Sequence, residues 1–371
     1  MKFVIAIVGA TGSGKSALAD ALALQLGGEL ISADSMQVYR GMDIGTAKTP
    51  PDQRHVAYHC IDLVDPGAPF TAALYQRHAR SVIERLLAQE VTPVLCGGTG
   101  LYVRAALDDF RFDEGREGGS SDPSDALANT DALMDTDALV ETGARADKDT
   151  GGHFDDIRKH LTIQAEELGA GAFHKILEQA DPQSAALIHP NNVRRVIRAF
   201  ELLEMGTSYA KQHEGFSDYK AVYPARFIGI SVEPEVLYEV IERRVDSMVA
   251  QGLLEEVSGL VAAGFRDAMT AQQAIGYKEL VPVLEGRRSL EDAIAEIKQS
   301  TRRYAKRQRT WFRRDSRIEW IDATDLHRQV LDGELGNEGF TQNLLERVNE
   351  CANECDNECD NESVKSKYTS L

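Results

Sequence analysis

The chain predicts an α/β fold: a P-loop, kinase-like parallel sheet flanked by helices, with a mainly helical domain inserted. Three observations lead there. A glycine-rich loop joins an apolar run to a helical pattern at the N-terminus. Apolar runs of strand length alternate with amphipathic segments through the first hundred residues. Helical character then takes over near residue 153 and yields to one more strand-like run at 226–232, before a long closing helix. With 371 residues, 43% of them hydrophobic, two domains or one large domain with an appendage are expected. The boundaries fall at 1–112 and 224–320 for the core, 113–152 for an acidic insertion, 153–223 for a helical insertion and 321–371 for an extension.

The first element, residues 3–8, reads Phe-Val-Ile-Ala-Ile-Val, a strand buried on both faces. It runs into Gly9, Ala10, Thr11, Gly12, Ser13, Gly14, Lys15 and Ser16, which match G-x-x-x-x-G-K-[ST] at every fixed position, and a helix over 17–26 follows. Three glycines in six residues let backbone amides turn around an anion without obstruction, so the loop is a cradle for a pyrophosphate or triphosphate. Lys15 pairs with terminal phosphate oxygens in this reading. Ser16 supplies its hydroxyl to Mg²⁺, and the helix aims its positive end at the ligand.

The second strand, 29–33, ends at Asp34, Ser35, Met36 and Gln37; polar residues at the C-terminal end of a parallel strand point into the ligand crevice. Residues 41–48 are too polar and glycine-rich for core, and Pro50-Pro51 breaks regular structure. A strand is expected over 55–64 and an amphipathic helix over 71–89. The strand at 91–96 ends in Gly97-Gly98-Thr99-Gly100, where a carboxylate for a second metal contact is common in this loop class; here a tight channel wall with one small hydroxyl is expected instead.

Between 113 and 152 the composition turns to Ser, Asp and Gly with no aromatic residue, which leaves little apolar area to offset ordering entropy, and a solvated, disordered insertion is expected. Helices resume after Asp155, with Asp181-Pro182 and Asn191-Asn192 as starts. In 193–202, Arg194 and Arg198 lie one turn apart with Arg195 on the adjacent face, a helix suited to grip a polyanion. The closing helix, 290–316, carries Tyr304, Trp311 and Phe312 among arginines. Those aromatics suit stacking on bases, or equally an anchor to the core.

A formal charge of -18 argues at first against a nucleic-acid partner. Its distribution reverses that. Residues 113–156 hold 13 acids and 3 bases and residues 350–371 hold 6 and 2, so the remainder carries only -4. Within it Arg302, Arg303, Lys306, Arg307, Arg309, Arg313, Arg314 and Arg317 are accompanied by one acid, Asp315, which makes a local basic face. No apolar run is long enough for a bilayer and no signal-like leader is evident, so a cytoplasmic protein with no membrane partner is expected. Cys60 and Cys96 read as reduced core residues, and Cys351, Cys355 and Cys359 as part of a disordered acidic tail.

Residues 33–48 (Ala-Asp-Ser-Met-Gln-Val-Tyr-Arg-Gly-Met-Asp-Ile-Gly-Thr-Ala-Lys), 97–102, 273–280 and 301–313 together resemble the tRNA dimethylallyltransferases, over roughly residues 1–321 without the insertion. The resemblance implies transfer of a dimethylallyl group from dimethylallyl diphosphate to N6 of the adenosine 3′ to the anticodon. The tRNA anticodon stem-loop is then the partner, Mg²⁺ the cofactor and a monomer the expected state. It implies Asp34 as general base, with Lys15, Thr99 and Arg244 in the catalytic set. Asp34, Ser35, Met36, Gln37 and Thr99 then line the channel for a flipped base, and Arg194, Arg195, Val196, Ile197 and Arg198 form a tRNA-contacting run. From the residues alone Asp34 also suits a water-mediated Mg²⁺ contact. A small-molecule prenyl transferase or a nucleotide-switched RNA-binding protein remain alternatives; the first has no use for the arginine-rich segments, the second none for Asp34.

Overall fold

The computed structural model describes residues 3–68, 70–109, 151–204, 206–214, 219–265 and 270–358, so the acidic stretch 113–150 and the last residues, 359–371, lie outside it. The chain runs through β1 (Val4–Gly9), α1 (Lys15–Leu26), β2 (Glu29–Ser32), β3 (Tyr58–His59), α2 (Ala72–Ala88), β4 (Pro93–Gly97) and α3 (Gly100–Leu107). It continues with α4 (Gly151–Leu168), α5 (Ala170–Ala180), α6 (Pro182–Leu187), α7 (Val193–Glu204) and α8 (Tyr209–Glu214). Then come β5 (Ala225–Ser231), α9 (Pro234–Ala250), α10 (Leu253–Ala262), α11 (Val281–Leu284), α12 (Leu290–Phe312), β6 (Ile318–Asp322), α13 (Thr324–Leu331) and α14 (Asn337–Glu358).

Six parallel strands form one sheet in the order β3-β2-β4-β1-β5-β6. Successive side chains point to opposite faces, and both faces are covered, which is why β1 is apolar at every position. Val4, Ala6 and Val8 join Tyr75 and Ile83 of α2, Leu101 of α3 and Ile297 of α12. Ile5 and Ile7 join Leu18 and Leu22 of α1, Leu326 of α13 and Leu344 of α14. Each fully buried valine, leucine or isoleucine among them contributes about 1.5–3 kcal/mol. The strand expected over 55–64 is confined to Tyr58–His59, because positive-φ residues at Cys60 and Asp62 break it.

The helical lobe leaves and rejoins the core at one pinned point. Val222 N–H donates to Leu107 O at 2.8 Å and Asp109 N–H to Lys220 O at 2.7 Å, joining the outgoing and returning chain. Asp108 is buried there and accepts from Arg104 at 2.8 Å and Arg317 at 2.6 Å. The guanidiniums of Arg104 and Arg317 stack on Tyr219 at 4.5 and 5.1 Å. Inside the lobe Phe173 and Phe200 pack at 5.2 Å, with Leu177, Val196 and Leu202 buried around them.

Two expectations are corrected here. The acidic tail continues α14 through Cys351 to Glu358, where a disordered extension was expected, because Phe340, Leu344, Leu345 and Val348 give the helix a buried stripe against α1. On α12, Phe312 is buried in the core and Tyr304 turns into the cavity described below. Trp311 packs where a Cβ on Gly100 would lie, so Phe312 and Trp311 anchor this helix and only Tyr304 faces the cavity. Among the described residues no helix is long and apolar enough to cross a membrane.

Candidate active site

The loop from Gly9 to Ser16 leaves the central strand β1 and enters α1 through Gly14, whose φ of 88° is left-handed. A side chain at Gly14 would also strike the Phe340 ring at 2.5 Å, so glycine is required twice over. No side chain caps α1, which leaves its first-turn amides for a ligand. The loop is braced from inside. Thr11 N–H donates to Gln308 Oε1 at 2.8 Å, Ser13 N–H to Ala10 O at 3.3 Å, and Lys15 Nζ folds back on Ala10 O at 3.3 Å. Gly9 and Gly12 also take positive φ.

A cavity of about 1180 Å³, its open mouth included, begins at this loop. Its lining combines Thr11, Lys15, Ser16, Asp34 and Arg244 with an apolar set, Ile241, Val245, Met248, Leu253 and Ile275; Ile241 stands against the glycine loop, 3.4 Å from where a Cβ on Gly12 would lie. The lining also includes Ser35, Met36, Gln37, Gly45, Thr46 and Ala47.

The charges among these lining residues are unbalanced. Arg244 is half-buried and has no hydrogen bond or ion pair among the described residues, and burial lowers its pKa while Asp34 opposes the shift. Burial likewise lowers the pKa of Lys15; Cys96 and Asp34 oppose this and Arg244 adds to it. Two desolvated cations beside an uncapped helix start, facing one carboxylate, call for an anion of more than one charge. Burial also pushes the Cys96 thiol up to about 11, which keeps it a neutral wall beneath the loop.

Asp34 follows β2 and is oriented by its own turn: Oδ1 accepts from Met36 N–H at 2.9 Å. Oδ2 accepts no hydrogen bond among the described residues and remains available to a ligand. Gln37 is engaged, accepting from Ser32 Oγ at 2.8 Å and donating to Thr46 O at 3.2 Å. Asp34, Ser35, Met36, Gln37, Lys15, Ser16 and Arg244 therefore meet in one cavity.

The second glycine turn differs from its expected role. Thr99 is 2% exposed and does not line the cavity; its Oγ1 accepts from Ser35 N–H at 3.1 Å, so it braces the Asp34 turn from behind. Gly97 borders the cavity, but Cβ atoms on Gly98 and Gly100 would lie 2.1 Å from Gln308 and 1.8 Å from Trp311. These glycines admit α12, and the turn is a packing surface more than a channel wall.

The arginine run on α7 is also narrowed. Val196 and Ile197 are core of the helical lobe, and Arg198 is buried with its guanidinium 2.9 Å from Glu201, which also binds Arg158 at 2.6 Å. Burial alone would raise the Glu201 pKa, but the two arginines outweigh it and lower it. Arg198 thus holds the lobe together, and only Arg194 and Arg195 present side chains outside its core. None of the five borders the cavity.

Gln308 and Tyr304 were not singled out from the sequence as cavity residues. Gln308 is buried, ties Thr11 N–H to Gly98 O, and so joins α12 to both glycine turns. Its signal was the spacing of Tyr304 and Gln308 on one face of a helix that otherwise reads as basic.

Fold and cavity define a P-loop α/β enzyme whose site joins an anion cradle to an apolar pocket. The IPP transferase family profile matches residues 37–315 and an isopentenyl transferase profile residues 2–56; the chain belongs to the IPP transferase family. It is 44% identical to the tRNA dimethylallyltransferase of Geobacillus thermodenitrificans over 87% of this chain and 91% of the relative. Identity to the Bacillus subtilis tRNA dimethylallyltransferase is 39% over 86% of this chain and 91% of that one. Among solved structures it resembles the Bacillus halodurans tRNA isopentenylpyrophosphate transferase (TM-score 0.58, 37% identity, 94% of this chain and 99% of that one). It also resembles a eukaryotic dimethylallyltransferase acting on tRNA (TM-score 0.65, 28% identity, 89% and 76%).

Proposed function

We propose that the protein transfers a dimethylallyl group from dimethylallyl diphosphate to N6 of the adenosine 3′ to the anticodon in tRNA. The observation that carries this reading is the cavity itself: two desolvated cations, a helix start, one carboxylate, Asp34, and a set of apolar side chains line the same space. The diphosphate lies on the loop of Gly9 to Ser16 with Lys15 and Arg244, and the five-carbon chain against Ile241, Val245 and Met248. As the C1–O bond breaks, negative charge gathers on the bridging oxygen, where the loop amides, Lys15 and Arg244 meet it. N6 attacks C1, its proton passes to Asp34 Oδ2, and diphosphate departs. An adenine reaches this depth only after leaving its stack, so base flipping past Ser35 and Met36 is the entry route.

Mg²⁺ fits the donor set. The exposed Ser16 hydroxyl, a hard oxygen donor at the start of α1, and the diphosphate oxygens would hold it. When bound there it neutralises diphosphate charge. Arg194 and Arg195 contact the tRNA backbone in this reading.

The test is incubation with labelled dimethylallyl diphosphate, Mg²⁺ and either tRNA or AMP. Label enters tRNA; with Asp34→Asn the transfer rate falls by about 10²–10⁴ while pyrophosphate still binds. Label in AMP and none in tRNA would reject the tRNA reading. Survival of transfer in Asp34→Asn would reject Asp34 as the base.

A further inference from the structure

Glu256 stands behind the cavity wall, on α10, and does not line the cavity. Its carboxylate collects three consecutive backbone donors. Oε2 accepts from Asp43 N–H at 3.1 Å and Ile44 N–H at 2.8 Å, and Oε1 from Gly45 N–H at 3.3 Å. The Tyr277 hydroxyl donates to Oε1 at 2.5 Å. Successive amides converging on one point form a concavity for an anion, and here the anion is a side chain 213 residues from Asp43, so the contact is tertiary.

The loop so held forms the cavity wall. Gly45, Thr46 and Ala47 border it directly, and Thr46 O accepts from Gln37 Nε2 at 3.2 Å, so the orientation of Gln37 depends on the loop. Gly45 has no room for adjustment on its other side, since a Cβ there would lie 2.4 Å from the Tyr277 ring. Lys48 closes the far end of the loop, its Nζ donating to Tyr39 O at 2.6 Å and Asp43 Oδ1 at 2.8 Å. The loop also bonds to itself, Ala47 N–H donating to Ile44 O at 3.0 Å and Thr46 Oγ1 to Met42 O at 2.6 Å; the Glu256 carboxylate is what ties its first three amides to α10.

We propose that Glu256 is a positioning residue for the acceptor base: it sets the wall of residues 43–47, and through Thr46 the Gln37 amide, against which the flipped adenine is oriented. The inference rests on the transfer reading given above. Glu256 touches neither substrate and lies away from the diphosphate loop, so its effect falls on the acceptor and spares the donor. Glu256→Gln keeps the size of the side chain but turns one acceptor oxygen into an amide NH₂ that opposes backbone N–H groups. Glu256→Ala removes the acceptor altogether, and Tyr277→Phe removes the hydroxyl donor while leaving the three amide bonds.

The experiment combines steady-state transfer to tRNA, pyrophosphate binding by calorimetry and amide hydrogen exchange on the whole protein. A wall displaced by about 1 Å costs on the order of 10²-fold in rate. Glu256→Gln and Glu256→Ala are therefore expected to lower kcat/KM for tRNA by about 10- to 100-fold, to change pyrophosphate affinity by less than about twofold, and to speed exchange at Asp43, Ile44 and Gly45 selectively. Tyr277→Phe is expected to leave those three amides protected. Unchanged transfer in Glu256→Ala, or unchanged exchange at the three amides, overturns the proposal. Equal losses in transfer and pyrophosphate binding also overturn it, because they mark a general structural role. If the unaltered protein transfers nothing to tRNA, the functional reading fails, while exchange at the three amides still reports on the clamp.

Discussion

Glu279 shows what a single buried charge does next to the site. Its side chain is 1% exposed; Oε2 accepts from Gly276 N–H at 2.8 Å, and the nearest cation to Oε1 is the Lys278 ammonium at 3.8 Å. Burial raises its pKa above the usual carboxylate value, so the folded protein holds this proton at pH values where the unfolded chain has lost it. The stabilising contribution is complete below the unfolded value and is lost as pH rises through the folded one. Glu279→Gln keeps an oxygen for Gly276 and carries no charge. Its melting temperature is expected to exceed that of the unaltered protein at pH 8, with the gap shrinking as pH falls toward 4; thermal melts across that range check the sign. A gap that widens toward acid would show that the carboxylate is stabilised as an anion. The motif at 273–280 was visible in the sequence as glycine-bearing and polar, but the burial of one of its acids was not, because burial depends on α12 and the rest of the core closing over it.

At the scale of elements, α14 is a floor for the phosphate loop. Phe340 is buried at the position a Gly14 side chain would need, and its ring lies 4.6 Å from His327 of α13, whose pKa burial lowers. Phe340→Ala is expected to cost about 3–5 kcal/mol of stability, as for other buried phenylalanines, and to weaken pyrophosphate binding because the loop loses its backing. Thermal melts and pyrophosphate calorimetry test the two effects separately; loss of stability with full affinity would show that Gln308 and the loop's own bonds hold it unaided. The glycine loop and its helix were legible from spacing alone, since their chemistry is local. The tail helix was not, because its polar, Asn- and Glu-rich surface masks a stripe of four apolar residues that matters only when α1 is alongside.

Across the whole molecule, charge is partitioned. Most of the net negative charge lies in two segments, while Arg303, Lys306, Arg313 and Arg314 stay exposed on and just beyond α12; on α7 Arg194 is exposed and Arg195 half-buried. If tRNA is the substrate, Arg194→Ala and Arg195→Ala are each expected to weaken tRNA binding and to reduce the slope of log affinity against log salt by about one. Arg198→Ala acts differently, leaving Glu201 buried with one partner fewer and costing about 3–5 kcal/mol of lobe stability. Filter binding over a salt series and thermal melts separate these outcomes. A salt slope unchanged in the Arg194 and Arg195 variants would remove α7 from the interface.

The sequence by itself determined which apolar runs become strands, the phosphate loop, Asp34 at a strand end and the family, because each is written in neighbouring residues whose spacing carries the chemistry. Only the tertiary structure decided that Thr99 and Arg198 are braces, that Gln308 reaches Thr11 across 297 residues and that Glu256 holds the loop at 43–45. The physical reason is that a hydroxyl, amide or carboxylate has the same character in sequence whether it meets a ligand or a distant backbone group. Its partner is chosen by how helices close over the sheet.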